Sequence, residues 1–151
     1  MEQLFNQLSE TLLNNLHDDE SMKLSIDGEN SQFIRFSQSK IRQSGLVDDA
    51  SFSINLIKDG RTCTGSFTLT GEIESDVKTV HTELNRLRNE VYKLPKDPFI
   101  VMPENTGSSR EENSSSLLNQ EDAVSALSPK MQGVDLAGIW ASGRIFTGNA
   151  N

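Results

Sequence analysis

The stretch ASFSINLIKDGRTCTGSFTLTG, residues 50–71, constrains the fold more than any other part of the chain. Phe52, Ile54 and Leu56 alternate with Ser51, Ser53 and Asn55. Asp59-Gly60 follows, a dipeptide that accepts the positive φ angles of a tight two-residue hairpin turn. On the return run Cys63, Gly65, Phe67 and Leu69 alternate with Thr62, Thr64, Ser66 and Thr68. A period of two puts the apolar set on one face and the hydroxyls on the other. The stretch therefore predicts an antiparallel hairpin with one covered face and one face open to water.

The cover is legible on both sides of the hairpin. Upstream, Leu4, Leu8, Leu12 and Leu16 recur every four residues, with Phe5 and Leu13 beside them. That spacing predicts an N-terminal helix with one apolar stripe, ended by HDDES. Downstream, Ile73, Val77, Val80, Leu84, Leu87, Val91 and Leu94 step by four and three in turn, a long amphipathic helix over 72–94. Packing of this helix on the sheet and a short coiled coil both suit the spacing; no systematic flanking charge code supports the coiled coil.

Other strands read less cleanly. SMKLSID and SQFIRFSQ alternate, and Asp27-Gly28 between them predicts a turn. Gln38-Ser39-Lys40 predicts a second reversal, into IRQSGLV. Pro95 and Pro98 stop the long helix, and FIVM (99–102) is a short apolar return. PENTGSSREENSSS, 103–116, has no large apolar side chain and predicts a disordered connector. Asn119 predicts a capped helix over QEDAVSAL, with Asp122 closing the reciprocal bond and Pro129 ending it. The last residues predict strand, turn at Ser142-Gly143, and strand. The predicted class is α+β: an antiparallel sheet of hairpins covered on one face by the N-terminal and the long helix. The predicted organisation is an α+β domain over 1–102, a polar disordered loop over 103–117, and a short helix and hairpin over 118–151.

Charge narrows the partners. The net charge is −8, from 22 acidic and 14 basic residues, with no basic stripe, which argues against nucleic acid and against an anionic membrane surface. No run approaches the roughly 20 apolar residues of a membrane span. The N-terminus has no basic, apolar leader pattern. Cys63 is the only cysteine, so no internal disulfide forms. A cytoplasmic location is the expectation. Hydrophobic residues are only 34% of the chain, and yet it ends on the apolar VDLAGIWASGRIFTGNAN. The expectation is a fragment whose last strands continue a larger sheet.

Catalytic patterns are not evident. HTELN at His81 fails the H-E-x-x-H zinc pattern, and His17 is the only other histidine. Cys63 lies in the apolar register of a strand, where a small core residue is expected. DGRTCTG lacks the Gly-Lys-Ser/Thr ending of a phosphate loop. Asn113-Ser114-Ser115 has glycosylation spacing without any sign of secretion. Arg35, set among Phe33, Ile34 and Phe36, either snorkels at a sheet edge or is a buried anchor for a carboxylate.

Two stretches resemble a known family. FIRFSQSKIRQSG (33–45) is similar to the strand–turn–strand near the start of the TldD/PmbA metallopeptidases, and DLAGIWASGRIFTGNAN (135–151) is similar to a later part of the same N-terminal region. The order between them also fits: an Asp-Gly hairpin, a long helix, a Leu-Pro-x-Asp-Pro exit and a second helix. The resemblance covers about residues 20–151, with residues 107–116 as an insertion. It implies an α+β N-terminal domain of a cytoplasmic homo- or heterodimer with a family member, whose substrates are flexible peptides or unfolded proteins held in a cleft. It implies zinc for the full-length protein, bound by an H-E-x-x-x-H helix and a distant cysteine. None of these ligands is in the 151 residues, so zinc is not expected on this chain, and Cys63 does not match the family's cysteine. Some members lack the motif and serve as non-catalytic partner subunits, the alternative reading. On the first reading the hydroxyls of Thr62, Thr64 and Ser66 line a peptide path and Arg35 steers a carboxylate; ordinary solvent exposure is the alternative for that face.

Overall fold

The computed structural model describes residues 1–101 and 107–151. Its elements in order are α1 (Glu2–Leu13), β1 (Glu20–Ser37), β2 (Lys40–Lys58), β3 (Arg61–Thr68), α2 (Ile73–Val91), α3 (Gln120–Leu127), a 3₁₀ turn (Ser128–Met131) and β4 (Gly138–Ala150). The strands form one four-stranded antiparallel sheet in the order β3-β2-β1-β4, and the class is α+β as predicted.

The hairpin is the predicted one. Asp59 and Gly60 have φ of 49° and 68°, and Phe52 lies opposite Phe67, Leu56 opposite Cys63 and Lys58 opposite Arg61. Gln38 and Ser39, at φ of 52° and 55°, make the second reversal between β1 and β2. The Asp59-Gly60 turn is tied to the segment that follows α2. The Asp97 N–H donates to the Gly60 carbonyl at 2.7 Å, Arg61 Nε to the Leu94 carbonyl at 2.9 Å, and Lys96 Nζ to the Asp59 carboxylate at 2.6 Å.

Two predicted turns are absent. β1 runs straight through Asp27-Gly28, and β4 runs straight through Ser142-Gly143. Neither glycine has positive φ. At Gly28 a Cβ would meet the movable end of the Met1 side chain, whereas at Gly143 it would collide with Ser31 and the Asn30 carbonyl. Glycine there removes a side chain rather than reversing the chain.

Contacts divide the chain into two units. The first comprises Met1–Gly28, Ala50–Ser108 and Phe146–Asn151; the second comprises Glu29–Asp49 and Ser109–Ile145. In the first, α2 packs on β3 and α1 packs on α2. Phe5, Leu8 and Leu12 of α1 meet Met22, Leu24 and Ile26 of β1, Phe52, Ile54 and Leu56 of β2, and Val80, Leu84, Leu87 and Val91 of α2 in one core. The period-two and period-3.6 patterns thus bury the middle of the sets they were expected to bury, and α2 packs on the sheet rather than in a coiled coil. The helix is shorter than predicted: Leu94 lies past its end, and Ile73 and Leu94 are both exposed. Leu16 likewise lies past α1.

The side chain of Glu72, at the N-cap of α2, makes no capping hydrogen bond. Asp76, in its first turn and 1% exposed, reaches back instead. Its carboxylate accepts from the Thr70 N–H and hydroxyl at 2.9 Å and from the Gly71 N–H at 3.0 Å. The bonds organise the approach to the helix and place an anion at its positive end.

In the second unit Ile34, Phe36, Ala123 and Met131 form a smaller core, with Val124, Leu127 and Trp140 against it. α3 has the predicted Asn119 cap, in which the Asp122 N–H donates to Asn119 Oδ1, while the return bond runs between side chains, Asn119 Nδ2 donating to Asp122 Oδ2, both at 2.8 Å. Phe99 and Val101 are exposed and outside any strand, whereas Met102 and the first four residues of the predicted polar connector, 103–106, lie outside the described residues. Residues 107–119 carry no helix or strand.

Candidate functional site

The hydroxyl face of the hairpin follows from strand alternation, and its groups are engaged with one another. Ser53 and Ser66 hydroxyls are 2.7 Å apart. Asn55 Nδ2 donates to Thr62 Oγ1 at 2.9 Å and to Thr64 Oγ1 at 2.6 Å. Thr62, Thr64 and Ser66 therefore come together on β3 as a cross-strand polar ladder. β3 is also an edge strand of the sheet. Thr64 and Ser66 are exposed and Thr62 half-buried.

Arg35 belongs to the second unit. Its neighbours in β1, Ile34 and Phe36, point into the small core and fix the strand, so Arg35 emerges on the opposite face, exposed. It borders an open groove of about 680 Å³ together with Phe33, Gln43, Ala137 and Ile139. Among the described residues Arg35 has no hydrogen-bond or ion-pair partner, whereas Arg42 donates to the Ser37 carbonyl at 3.1 Å and to Gln38 at 2.9 Å. Of the two expectations for Arg35, the sheet surface is where its side chain lies; it is not buried.

The charge cluster that sequence reading missed is in the first unit. Glu20 opens β1 on its buried face, and its side chain has no exposure. Arg88 of α2 grips the carboxylate through Nη2 at 2.7 Å and Nε at 3.0 Å. Lys58 Nζ lies 3.3 Å from the same carboxylate and 3.1 Å from Asp19. The His17 N–H donates to Glu20 at 3.2 Å, and Lys58 Nζ sits 5.3 Å from the centre of the Tyr92 ring. Burial pushes the Glu20 carboxyl up, but the bonds from Arg88, the His17 N–H and Lys58 outweigh it and bring it from 4.5 down to about 2. A separation of 68 positions between Glu20 and Arg88 hid the pairing. The only signal was an acidic residue at the head of an alternating apolar strand.

The residues present do not fit zinc. Among the described residues one group of potential ligands converges, His17, Asp19 and Glu20. Glu20 already spends its oxygens on Arg88 and Lys58, and Asp19 on Lys58. A dication would sit beside two cations. Cys63 is buried, and burial first, then the Glu90 carboxylate, pushes its thiol above the ordinary range. That is the opposite of an activated nucleophile. Two residues along the strand, Gly65 leaves room for the ends of the Glu83 and Arg86 side chains of α2.

No protein-family model and no curated protein matches the chain. Solved structures do. One of a proposed DNA gyrase modulator from Thermotoga maritima superposes with a TM-score of 0.57 at 14% identity, over 98% of this chain and 35% of the other. TldE from Thermococcus kodakarensis gives 0.58 at 15%, over 97% and 34%. This chain has the TldD/PmbA-type N-terminal fold. A third match, a proposed DNA gyrase modulator from Bacteroides thetaiotaomicron, gives 0.59 at 17%, over 99% and 36%. The chain spans about a third of the length of the structures it matches. The fold implied by the two quoted sequence stretches is the fold observed. Among the described residues no helix is long and apolar enough to cross a membrane.

Proposed function

We propose that this chain is the N-terminal, substrate-shaping part of a TldD/PmbA-like zinc metallopeptidase that acts on flexible peptides, as a dimer with a family member in the cytoplasm. The observation that carries the reading is the superposition of nearly the whole chain on one third of TldE and of two similar proteins. It is supported by the two family-like stretches, residues 33–45 and 135–151. In this reading zinc is held elsewhere in the full-length protein, in keeping with a poor donor set at His17, Asp19 and Glu20. This part offers surface: the edge strand β3 with its hydroxyl ladder and the groove beside Arg35. An extended peptide has unpaired backbone groups that an edge strand can take up without regard to sequence, a property suited to flexible substrates.

Metal analysis and a cleavage assay on the full-length gene product test the reading. Stoichiometric zinc and hydrolysis of an unfolded peptide, lost on chelation, are expected for the full-length protein, and neither for residues 1–151 alone. Peptide binding without zinc or cleavage would replace the peptidase with the non-catalytic partner subunit. Zinc bound one-to-one by the 151-residue chain would overturn the assignment of this part as metal-free.

A further inference from the structure

We infer that the groove beside Arg35 is a site for the free carboxyl end of an apolar peptide. The inference rests on the peptide-handling reading above and names the feature of the peptide that this part recognises.

Three observations carry it. First, Arg35 is a cation in a chain of net charge −8, and among the described residues nothing neutralises it. The residues bordering the groove include no other charge. A guanidinium left without a carboxylate keeps its fork of N–H donors for a ligand, and that fork matches a carboxylate in two parallel bonds. Second, the wall around it is greasy. Phe33 lies two residues away on the same face of β1, about 7 Å along the strand. Ile139 of β4 is 65% exposed, and Ala137 lies beside it. Third, the backbone beneath is fixed, because Ile34 and Phe36 are anchored in the small core. The ordering entropy of the site is then confined to one side chain.

The ligand must therefore present a carboxylate and an apolar group within one residue of each other. A peptide's last residue does so, since its carboxylate and side chain branch from the same carbon. An internal Asp or Glu would bring two arms of polar backbone across Phe33 and Ile139, which supply no donors for them. Gln43, on β2, offers an amide for the last peptide carbonyl or N–H.

The test is an amide NMR titration of the 151-residue chain with three probes: acetyl-Phe-Leu as the free acid, the same dipeptide as its amide, and an acetyl-Leu-Asp-Leu amide. Saturable shifts centred on Phe33, Arg35, Gln43 and Ile139 are expected with the free acid, at millimolar affinity, and at least about tenfold weaker with either amide. Arg35→Gln should remove the difference between acid and amide, and Arg35→Lys should restore part of it, because a point charge replaces a fork. Arg35 is exposed, so both variants keep the fold. Equal shifts from acid and amide, or stronger ones from the internal aspartate, overturn the inference, as does the absence of shifts at these residues. Shifts along β3 with both dipeptides, and none in the groove, would leave the peptide-handling reading standing and remove this site.

Discussion

Replacing Glu20 by glutamine tests the ion cluster under the sheet. The change keeps shape and removes one charge, leaving Arg88 and Lys58, with side chains 19% and 9% exposed, facing a neutral amide. The displacement of the Glu20 carboxyl from 4.5 to about 2 corresponds to about 3 kcal/mol of stabilisation of the ionised folded form. Breaking one partner of a buried ion pair is destabilising by about 3–5 kcal/mol, of the same order. Glutamine still accepts one bond from Arg88, so a loss of about 2–3 kcal/mol is expected near neutral pH. The pH dependence carries the sharper signature. The folded carboxyl is the stronger acid, so the unfolded chain binds the proton first as pH falls. The stabilisation is complete above about 4.5, drains away as pH falls from there, and is gone by about 2. Wild type should lose it over that window while Glu20→Gln stays level in this respect, so the gap between the two closes in acid. Urea unfolding followed by far-UV circular dichroism, repeated from neutral pH down to about pH 3, measures the gap. A gap under about 0.5 kcal/mol at neutral pH, or one of constant size down to pH 3, would refute the reasoning.

Three further outcomes follow from packing. Gly143→Ala should destabilise the second unit by about 2 kcal/mol, because the new methyl meets the backbone at Asn30 and Ser31; the fluorescence of Trp140, the only tryptophan, reports it. Leu87→Ala, fully buried between α2 and the sheet, should cost about 2–5 kcal/mol in a urea or thermal melt, whereas Leu94→Ala beyond the helix should cost under about 1 kcal/mol. Asp76→Ala should cost about 1–2 kcal/mol and speed hydrogen exchange of the Thr70 and Gly71 amides, its two backbone donors, more than that of the middle of α2.

Patterns of short period were readable because their cause is local. Alternation at Phe52, Ile54 and Leu56 and the positive φ of Asp59-Gly60 depend on nearest neighbours, and so do the Asn119 cap and the α2 stripe from Val80 to Val91. Asp27-Gly28 and Ser142-Gly143 misled for the same reason. A turn dipeptide announces what the backbone is able to do, while Ser31, remote in sequence, fixes what Gly143 is used for. The site was legible only in part. Thr62, Thr64 and Ser66 could be placed on one face from register, but not their engagement with Asn55 and Ser53 across the hairpin.

Residue order along the chain was thus enough to establish the α+β class, the hairpin and the covering helices, since each is written in periods of two or about 3.6 residues, while the kinship of fold came from the resemblance of residues 33–45 and 135–151. Folding in three dimensions settled which charge meets which: Glu20 held by Arg88 and Lys58, and Arg35 left open beside Phe33 and Ile139. Charge pairing depends on distance through space, and residues 68 apart in the chain come within 2.7 Å only when a helix has been laid on a sheet.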